Sequence, residues 1–531
     1  MRKNKLFIPG MLTVLALVFA SCQTDSDESD PEPPVSSRTY SDSVQKVTFT
    51  GNTANLSFDK LNRNDVYLVK INTSGLVAPA GKTGRALNVD LSLQPDEDMH
   101  ALYTPIDMAL PQIGHPGTQR FSANLPPITE EMRRSVGQAA FAVAKVGDVK
   151  TFWVETYADS GICHQKPATL RATGKYGNIW IMNDNRRAIA ASQAETLAAK
   201  FDLIYPLATN LLGFEYGGGP GGDGGRDGDP KIQILVYDIL DARGNVAGAG
   251  YFHIKDFFSQ SFLDNTGNGG LKTSLAEIFY IDAGTFTDYP DDIYTVLVHE
   301  FQHMINFNVK TIQQEKESEA WYTEMLSTMA EDVISPLIGV ASTNQLHPIS
   351  SRIPRFLGNY NRAGLTEWDT SASIYDHYAV VFAFGAYLMR NYGGPALLRE
   401  ILASKETGID SITQALQKTS GVTFEQAFSR YGEALVFSGT SIPKDGLTFD
   451  KTASSTVSGN RYVAYAFDIW SMSQEGGDRK GPLVFDLSPR DMRPHSILIQ
   501  SSNAWRNVSG SISITLERPD DESIEFYLIV R

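Results

Sequence analysis

Cysteine is almost missing from this chain: 531 residues carry two, Cys22 and Cys163. Two thiols cannot build a disulfide scaffold or a cysteine-rich metal knot. Basic residues are also in short supply, 46 Lys and Arg against 61 Asp and Glu, for a formal charge of −15. That balance argues against a nucleic-acid partner, because phosphate backbones are gripped by clustered Lys and Arg. Long apolar runs are scarce too. The one near the N-terminus, Leu6–Phe19, is shorter than the roughly 20 residues that span a bilayer, and Pro9 and Gly10 interrupt it. Neither heptads nor internal repeats are evident. Apolar content is not lacking: 42% of the chain is hydrophobic, enough for sizeable cores, and the length predicts three or four domains.

Arg2, Lys3 and Lys5 precede the apolar run and Ala20 and Ser21 follow it, the layout of a secretory signal. Phe19-Ala20-Ser21-Cys22 resembles a bacterial lipobox, with Cys22 as the lipidated residue. The expectation is a signal peptide over 1–21 and a lipoprotein of the bacterial cell envelope. It would be held on a membrane, the outer one in the first instance, facing the periplasm or exposed at the surface. Acyl chains anchor at about 0.8 kcal/mol per buried methylene. Residues 22–37, with Asp25, Asp27, Glu28, Asp30, Glu32 and three prolines, read as an acidic tether too poor in apolar surface to fold. Cys163 is then a lone thiol, read as buried or unreactive.

From 38 to 170 short β-branched and aromatic runs alternate with turn residues (VYLVKINTSG, DVKTFWVETY), which reads as an antiparallel sandwich. From 171 to 440 strands (GNIWIM, KIQILVYDIL, AGAGYFHIKDFF, AEIFYIDA) give way to helices at 291–308, 318–333 and 371–391, after an earlier helix at 190–212. This order indicates an α+β domain. Strand patterns return over 441–531 (RYVAYAFDIW, HSILIQ, EFYLIV), predicting a second β-rich domain.

The chemistry concentrates in VLVHEFQHMINF. On a helix His299 and His303 lie one turn apart on one face, so both imidazoles can hold one ion. Glu300 sits about 100° round, where it can reach a water rather than the metal. The flanking Val296, Leu297, Phe301 and Ile305 argue against two ordinary surface histidines, because polar groups in an apolar helix need partners. The metzincin pattern requires Gly and His where this chain has Asn306 and Val309, so that clan is excluded. The next helix offers Glu319 and Glu324, which face about 140° apart, so only one can reach the ion.

HEFQHMINF, WYTEMLSTMAED and HYAVVFAFGAYLMRNYGG together resemble the hyicolysin-type family of secreted bacterial zinc metallopeptidases, over roughly residues 170–440. Trp321-Tyr322-Thr323-Glu324 resembles the W-x-x-E segment of gluzincins, which implies Glu324 as third ligand beside His299 and His303. The resemblance also implies a zincin-like metallopeptidase domain, flanked here by N-terminal and C-terminal β-sandwich-like domains. It implies one catalytic zinc ion, a zinc-activated water with Glu300 as general base, and a protein or peptide substrate. An oxyanion-stabilising tyrosine is implied in the 377–393 segment. Tyr378 matches the residue that opens it, and Tyr375 and His377 stand as rivals, because family members usually carry a small residue where His377 stands. AEIFYIDA resembles the edge strand that pairs with extended substrate.

Asp223, Asp227 and Asp229 in the glycine-rich loop 217–229 form a weaker candidate, a Ca2+ site without the spacing of an EF-hand. Two competing readings carry different chemistry: a surface binding or adhesion lipoprotein with a silent zinc domain, and a zinc hydrolase of non-peptide amides. The N-terminal β region reads equally as a propeptide or a permanent domain.

Overall fold

The unbroken apolar runs GNIWIM and IQILVY are buried along their whole length, as central parallel strands must be when both faces are covered. A computed structural model describes residues 38–88, 144–155, 162–241, 243–267, 270–369 and 373–531. The leader, Cys22 and the acidic tether lie outside them. In chain order the strands are β1 (Val44–Lys46), β2 (Thr53–Asn64), β3 (Val66–Asn72), β4 (Ala86–Asn88), β5 (Val149–Glu155), β6 (Cys163–Thr173), β7 (Gly177–Met182), β8 (Ile232–Tyr237), β9 (Gly250–Phe252), β10 (Ile278–Asp282), β11 (Ala453–Val457), β12 (Asn460–Ala464), β13 (Ser496–Gln500), β14 (Val508–Glu517) and β15 (Ile524–Val530). The helices that position the site are α1 (Ala191–Leu212), α2 (Ile293–Asn306), α3 (Ala320–Ile334), α4 (Ile353–Asn359) and α5 (Ile374–Asn391).

Six strands form one mixed sheet in the order β5-β6-β7-β8-β10-β9. β7, β8 and β10 run parallel, while β9 closes the row antiparallel to β10. AEIFYIDA therefore becomes β10, with both edges occupied, and the edge strand is β9. Only Gly250–Phe252 of the expected strand AGAGYFHIKDFF pairs as a strand; the chain turns into a 3-10 segment at Ile254. Gly250 permits β9 to lie close to α2, since a Cβ there would meet Val296 at 2.7 Å and the Tyr280 carbonyl at 2.8 Å.

The mixed α/β character is as expected, but the flanking β regions differ from the expectation. N-terminal and C-terminal strands interleave in shared sheets, β1-β15-β3-β13 and β2-β14-β4. β3 shows how they join the rest. Tyr67, Val69 and Ile71 pack into the core that contains the helices, whereas Val66 and Leu68 face a second core with Phe58, Ile514 and Leu516. Alternation along the strand thus buries both faces, one on the helical body and one on the three-stranded sheet. The boundary expected at 170/171 falls inside β6, and that strand belongs to the six-stranded sheet. All described residues lie in one compact unit, Pro33–Arg531.

α2 is apolar on nearly every side and buried on nearly every side, packed among α1, α3, β9 and β10. It begins at Ile293, after Asp292, and continues beyond Asn306 as a π-helical segment, Phe307–Gln313. α3 returns antiparallel to it, and α5 packs against α3. No helix among the described residues is long and apolar enough to cross a membrane.

Candidate metal centre

α2 and α3 bring His299, His303 and Glu324 together, with one ligand atom from each lying within 4.8 Å of the others. The Nε2 atoms of the two histidines are 3.0 Å apart. Glu324 Oε2 lies 3.1 Å from Nε2 of His299 and 3.4 Å from Nε2 of His303. His299 is fully buried, and His303 keeps 14% of its side-chain exposure, so the centre reaches solvent on that side.

The reverse face of each imidazole is occupied. Nδ1 of His299 is 2.7 Å from Glu331 Oε1, and Nδ1 of His303 is 3.2 Å from Ser327 Oγ. Ser327 donates its own proton to Gln302 Oε1, which leaves its oxygen to accept from His303. With both Nδ1–H groups donated backwards, two Nε2 lone pairs and a carboxylate oxygen converge on one point. Two lone pairs at 3.0 Å repel unless a cation lies between them, and a His-His-Glu donor set suits zinc.

The electrostatics agree. Burial opposes a charge on His299, yet Glu324 and Glu331 outweigh it and hold the imidazole up to about 10. Burial would raise Glu324, but His303 and His299 pull it down to about 2. The position favours positive charge, carried by His299 itself when no ion is bound, beside the ionised Glu324, while burial raises Glu331 behind the ring. Glu300 differs: it is fully buried, its polar neighbour is the Phe252 backbone rather than a side chain, and desolvation pushes it up to about 7 against the pull of His299 and His303.

Of the rivals, Glu319 lies outside the cluster and accepts the Trp321 indole N–H at 2.9 Å. Tyr378 on α5 is buried and hydrogen-bonds Glu324, with its ring centroid 6.4 Å from that of His299. His377 turns toward Trp368 and accepts the Asp369 N–H, and the half-buried Tyr375 lies against the Arg355 guanidinium. Of the three side chains, Tyr378 is therefore the one that reaches the ligand set.

Cys163 is half-buried on β6, accepts the Lys272 N–H at 3.4 Å and lies outside the ligand group. Among the described residues, the aspartates of the glycine-rich loop join no group of metal-ligating side chains, so the expected calcium site finds no support. Asp223 and Asp227 each accept a backbone N–H two residues on, and Asp229 is taken by Lys231, Asn178 and Gln233. Their spacing suits turns, in which a short side chain bonds its own backbone.

Three groups beside the centre are not evident in the sequence: Glu331, Ser327 and Arg352. Glu331 stands seven residues after Glu324, two helical turns along the same face, and that period is the one signal that could have found it. Arg352, at the head of α4, is buried and places its guanidinium 4.8 Å from the centroid of the Tyr378 ring.

A known protein and a family model resemble this chain. A neutral metalloprotease, ShpI, of Staphylococcus hyicus is 27% identical over 308 residues, covering 55% of this chain and 62% of that protein. The match thus spans less than two thirds of that relative. The family model described as peptidase M30 matches residues 173–457, from the last residue of β6 through α2, α3 and α5 to the end of β11. That match takes in more than half of the sequence, including both histidines, Glu324 and Tyr378, and the chain belongs to the peptidase M30 family.

Proposed function

We propose that the chain is a zinc metallopeptidase that hydrolyses peptide bonds at the His299–His303–Glu324 centre. The observation that carries the reading is the convergence of two imidazole nitrogens and one carboxylate beside Glu300, a buried carboxylate that no side chain hydrogen-bonds. Zinc held there supplies Lewis acidity toward a water and the scissile carbonyl. Glu300 takes the proton of the attacking water and passes it to the leaving amine. Tyr378 donates its hydroxyl to the oxygen that gains charge as the carbonyl is attacked. β9 closes the sheet beside Glu300 and is the strand along which an extended substrate would lie.

Metal analysis combined with casein hydrolysis, with and without a chelator, tests the reading. One zinc per chain and chelator-sensitive hydrolysis are expected. Bound zinc without hydrolysis of casein or any peptide favours a binding protein instead, and cleavage confined to non-peptide amides would reassign the substrate.

The envelope location is a separate part of the proposal and rests on the sequence around Cys22. Lipidation there, followed by the acidic tether, would hold the peptidase on a membrane surface. Mass spectrometry of the mature N-terminus is expected to show an acylated Cys22. An unmodified N-terminus, or membrane retention of Cys22→Ala, would contradict it.

A further inference from the structure

Arg352 stands at the head of α4, and α4 packs along α5. It is 4% exposed, and its guanidinium lies 4.8 Å from the centroid of the Tyr378 ring. Among the described residues that guanidinium makes no hydrogen bond and no ion pair. The arginines around it differ. Arg355, on the same helix, pairs with Asp376 and Glu475, and Arg390 on α5 pairs with Asp332. A cation taken out of water without an anion is costly, and it persists where a negative charge answers it.

The resting protein supplies no paired anion. Glu331 feels the charge of Arg352, yet it is committed to His299 at 2.7 Å and forms no ion pair with the arginine. Hydrolysis of a peptide bond, by contrast, creates an anion at this centre, the carbonyl oxygen that gains charge as it is attacked. Tyr378 is the side chain assigned to that oxygen, and it is the ring that Arg352 covers.

Tyr378 is held from several sides. Trp368 meets it edge-on with ring centroids 5.2 Å apart, Arg352 lies against the ring, and the hydroxyl bonds Glu324. A ring fixed in this way keeps its hydroxyl aimed at the centre. When the hydroxyl donates to an oxyanion it retains its proton, and negative charge gathers on the phenol oxygen and the ring. A cation against that ring stabilises the charge strongly in a site closed to water. The arginine charge is permanent, because a guanidinium does not lose its proton in proteins.

We propose that Arg352 is a positioning residue for the hydrolysis: it steadies the Tyr378 ring and, through that ring, sets a fixed positive charge behind the hydroxyl that meets the oxyanion. The proposal rests on the peptidase reading of the metal centre. The first test is kcat and KM for one peptide, measured on the full, zinc-loaded chain. Arg352→Met is expected to lower kcat about 10- to 100-fold with little change in KM. Arg352→Lys, which keeps the charge, is expected to recover most of that loss. In a Tyr378→Phe background, Arg352→Met is expected to cost less than about twofold, because the two residues act as one unit. Zinc content and the urea midpoint are measured on every variant. If Arg352→Met does not fold, Arg352→Gln against Arg352→Lys makes the same comparison.

The second test requires no turnover. A phosphinic peptide, which carries a tetrahedral anion in place of the cleaved amide, is titrated into each variant by calorimetry. Its affinity is expected to fall in Arg352→Met by the same factor as kcat, and to return in Arg352→Lys. Wild-type kcat in Arg352→Met, no recovery by lysine, or an equal loss in the Tyr378→Phe background overturns the proposal. So does a loss that follows zinc content or the urea midpoint, which marks an arginine that only supports the fold or the ligands. A wild type that cleaves no peptide overturns the peptidase reading and this proposal together. A wild type that cleaves, beside an Arg352→Met that cleaves equally well, overturns this proposal alone.

Discussion

Nδ1 of His299 and Oε1 of Glu331 lie 2.7 Å apart in a fully buried contact. α3 therefore provides two carboxylates with separate tasks, Glu324 toward the ion and Glu331 behind the imidazole. The contact fixes the proton of His299 on Nδ1 and aims Nε2 forward. Loss of such a partner typically costs about 10–100-fold in metal affinity. Glu331→Ala is expected to weaken zinc binding by that amount in competition with a chromophoric chelator, and Glu331→Gln by less, since an amide oxygen still accepts. Unchanged affinity in both variants would show that the contact does not orient the ligand.

Tyr378 touches the ligand set through Glu324 but is not placed as a ligand. Its hydroxyl is the group assigned to the developing oxyanion. Tyr378→Phe is expected to lower kcat by about 10²–10³-fold with little change in KM or zinc content. A variant with normal kcat would remove the tyrosine from the mechanism.

The ion pair between Arg390 Nη1 and Asp332 Oδ2, at 2.8 Å, ties α5 to α3 with both side chains out of solvent. Arg390 also donates to the Tyr465 carbonyl, just beyond β12. Removing one partner leaves a buried charge alone, at a cost of about 3–5 kcal/mol. Arg390→Met is expected to show that loss in urea denaturation, and the double variant with Asp332→Asn is expected to recover part of it. A single-variant loss below about 1 kcal/mol would contradict the burial argument.

How much of this was legible in the sequence depends on the range of the interactions. His299, Glu300 and His303 share one helical turn, so spacing alone assembled them, and the tryptophan of WYTE pointed to Glu324. Tyr378 could not be separated from Tyr375 and His377, because rotation about α5 is set by what α3 and Trp368 present to it. The long helices 190–212 and 371–391 read well from periodicity. The terminal β regions did not, because Val66–Asn72 pairs with strands more than 400 residues away. Alternation shows that a segment is a strand but carries no information about its partner. The choice of β10 as edge strand failed for the same reason, since the three residues of β9 were too few to read as a separate neighbour.

His347 gives the fold a pH dependence. It is buried, its Nδ1 accepts the Ile349 N–H at 3.2 Å, and Nε2 has no partner. Burial holds it down to about 4, opposed by Asp332 and reinforced by Arg390. The unfolded chain protonates this group first, near 6.5. Stability from His347 is thus complete above that pH and is lost as pH falls toward 4, by about 2 kcal/mol between pH 7 and 5. His347→Asn, which keeps an acceptor for Ile349, is expected to flatten that slope in urea denaturation. An unchanged slope would assign the acid sensitivity elsewhere.

The central claim is that a metal centre with Glu300 as its proton carrier cleaves peptide bonds. Turnover of a peptide substrate by zinc-loaded Glu300→Gln, set against the wild type, tests it most directly. The predicted result is equal zinc content, loss of hydrolysis in the variant, and a wild-type activity abolished by chelator and restored by zinc. Full, chelator-sensitive turnover by Glu300→Gln would contradict the account.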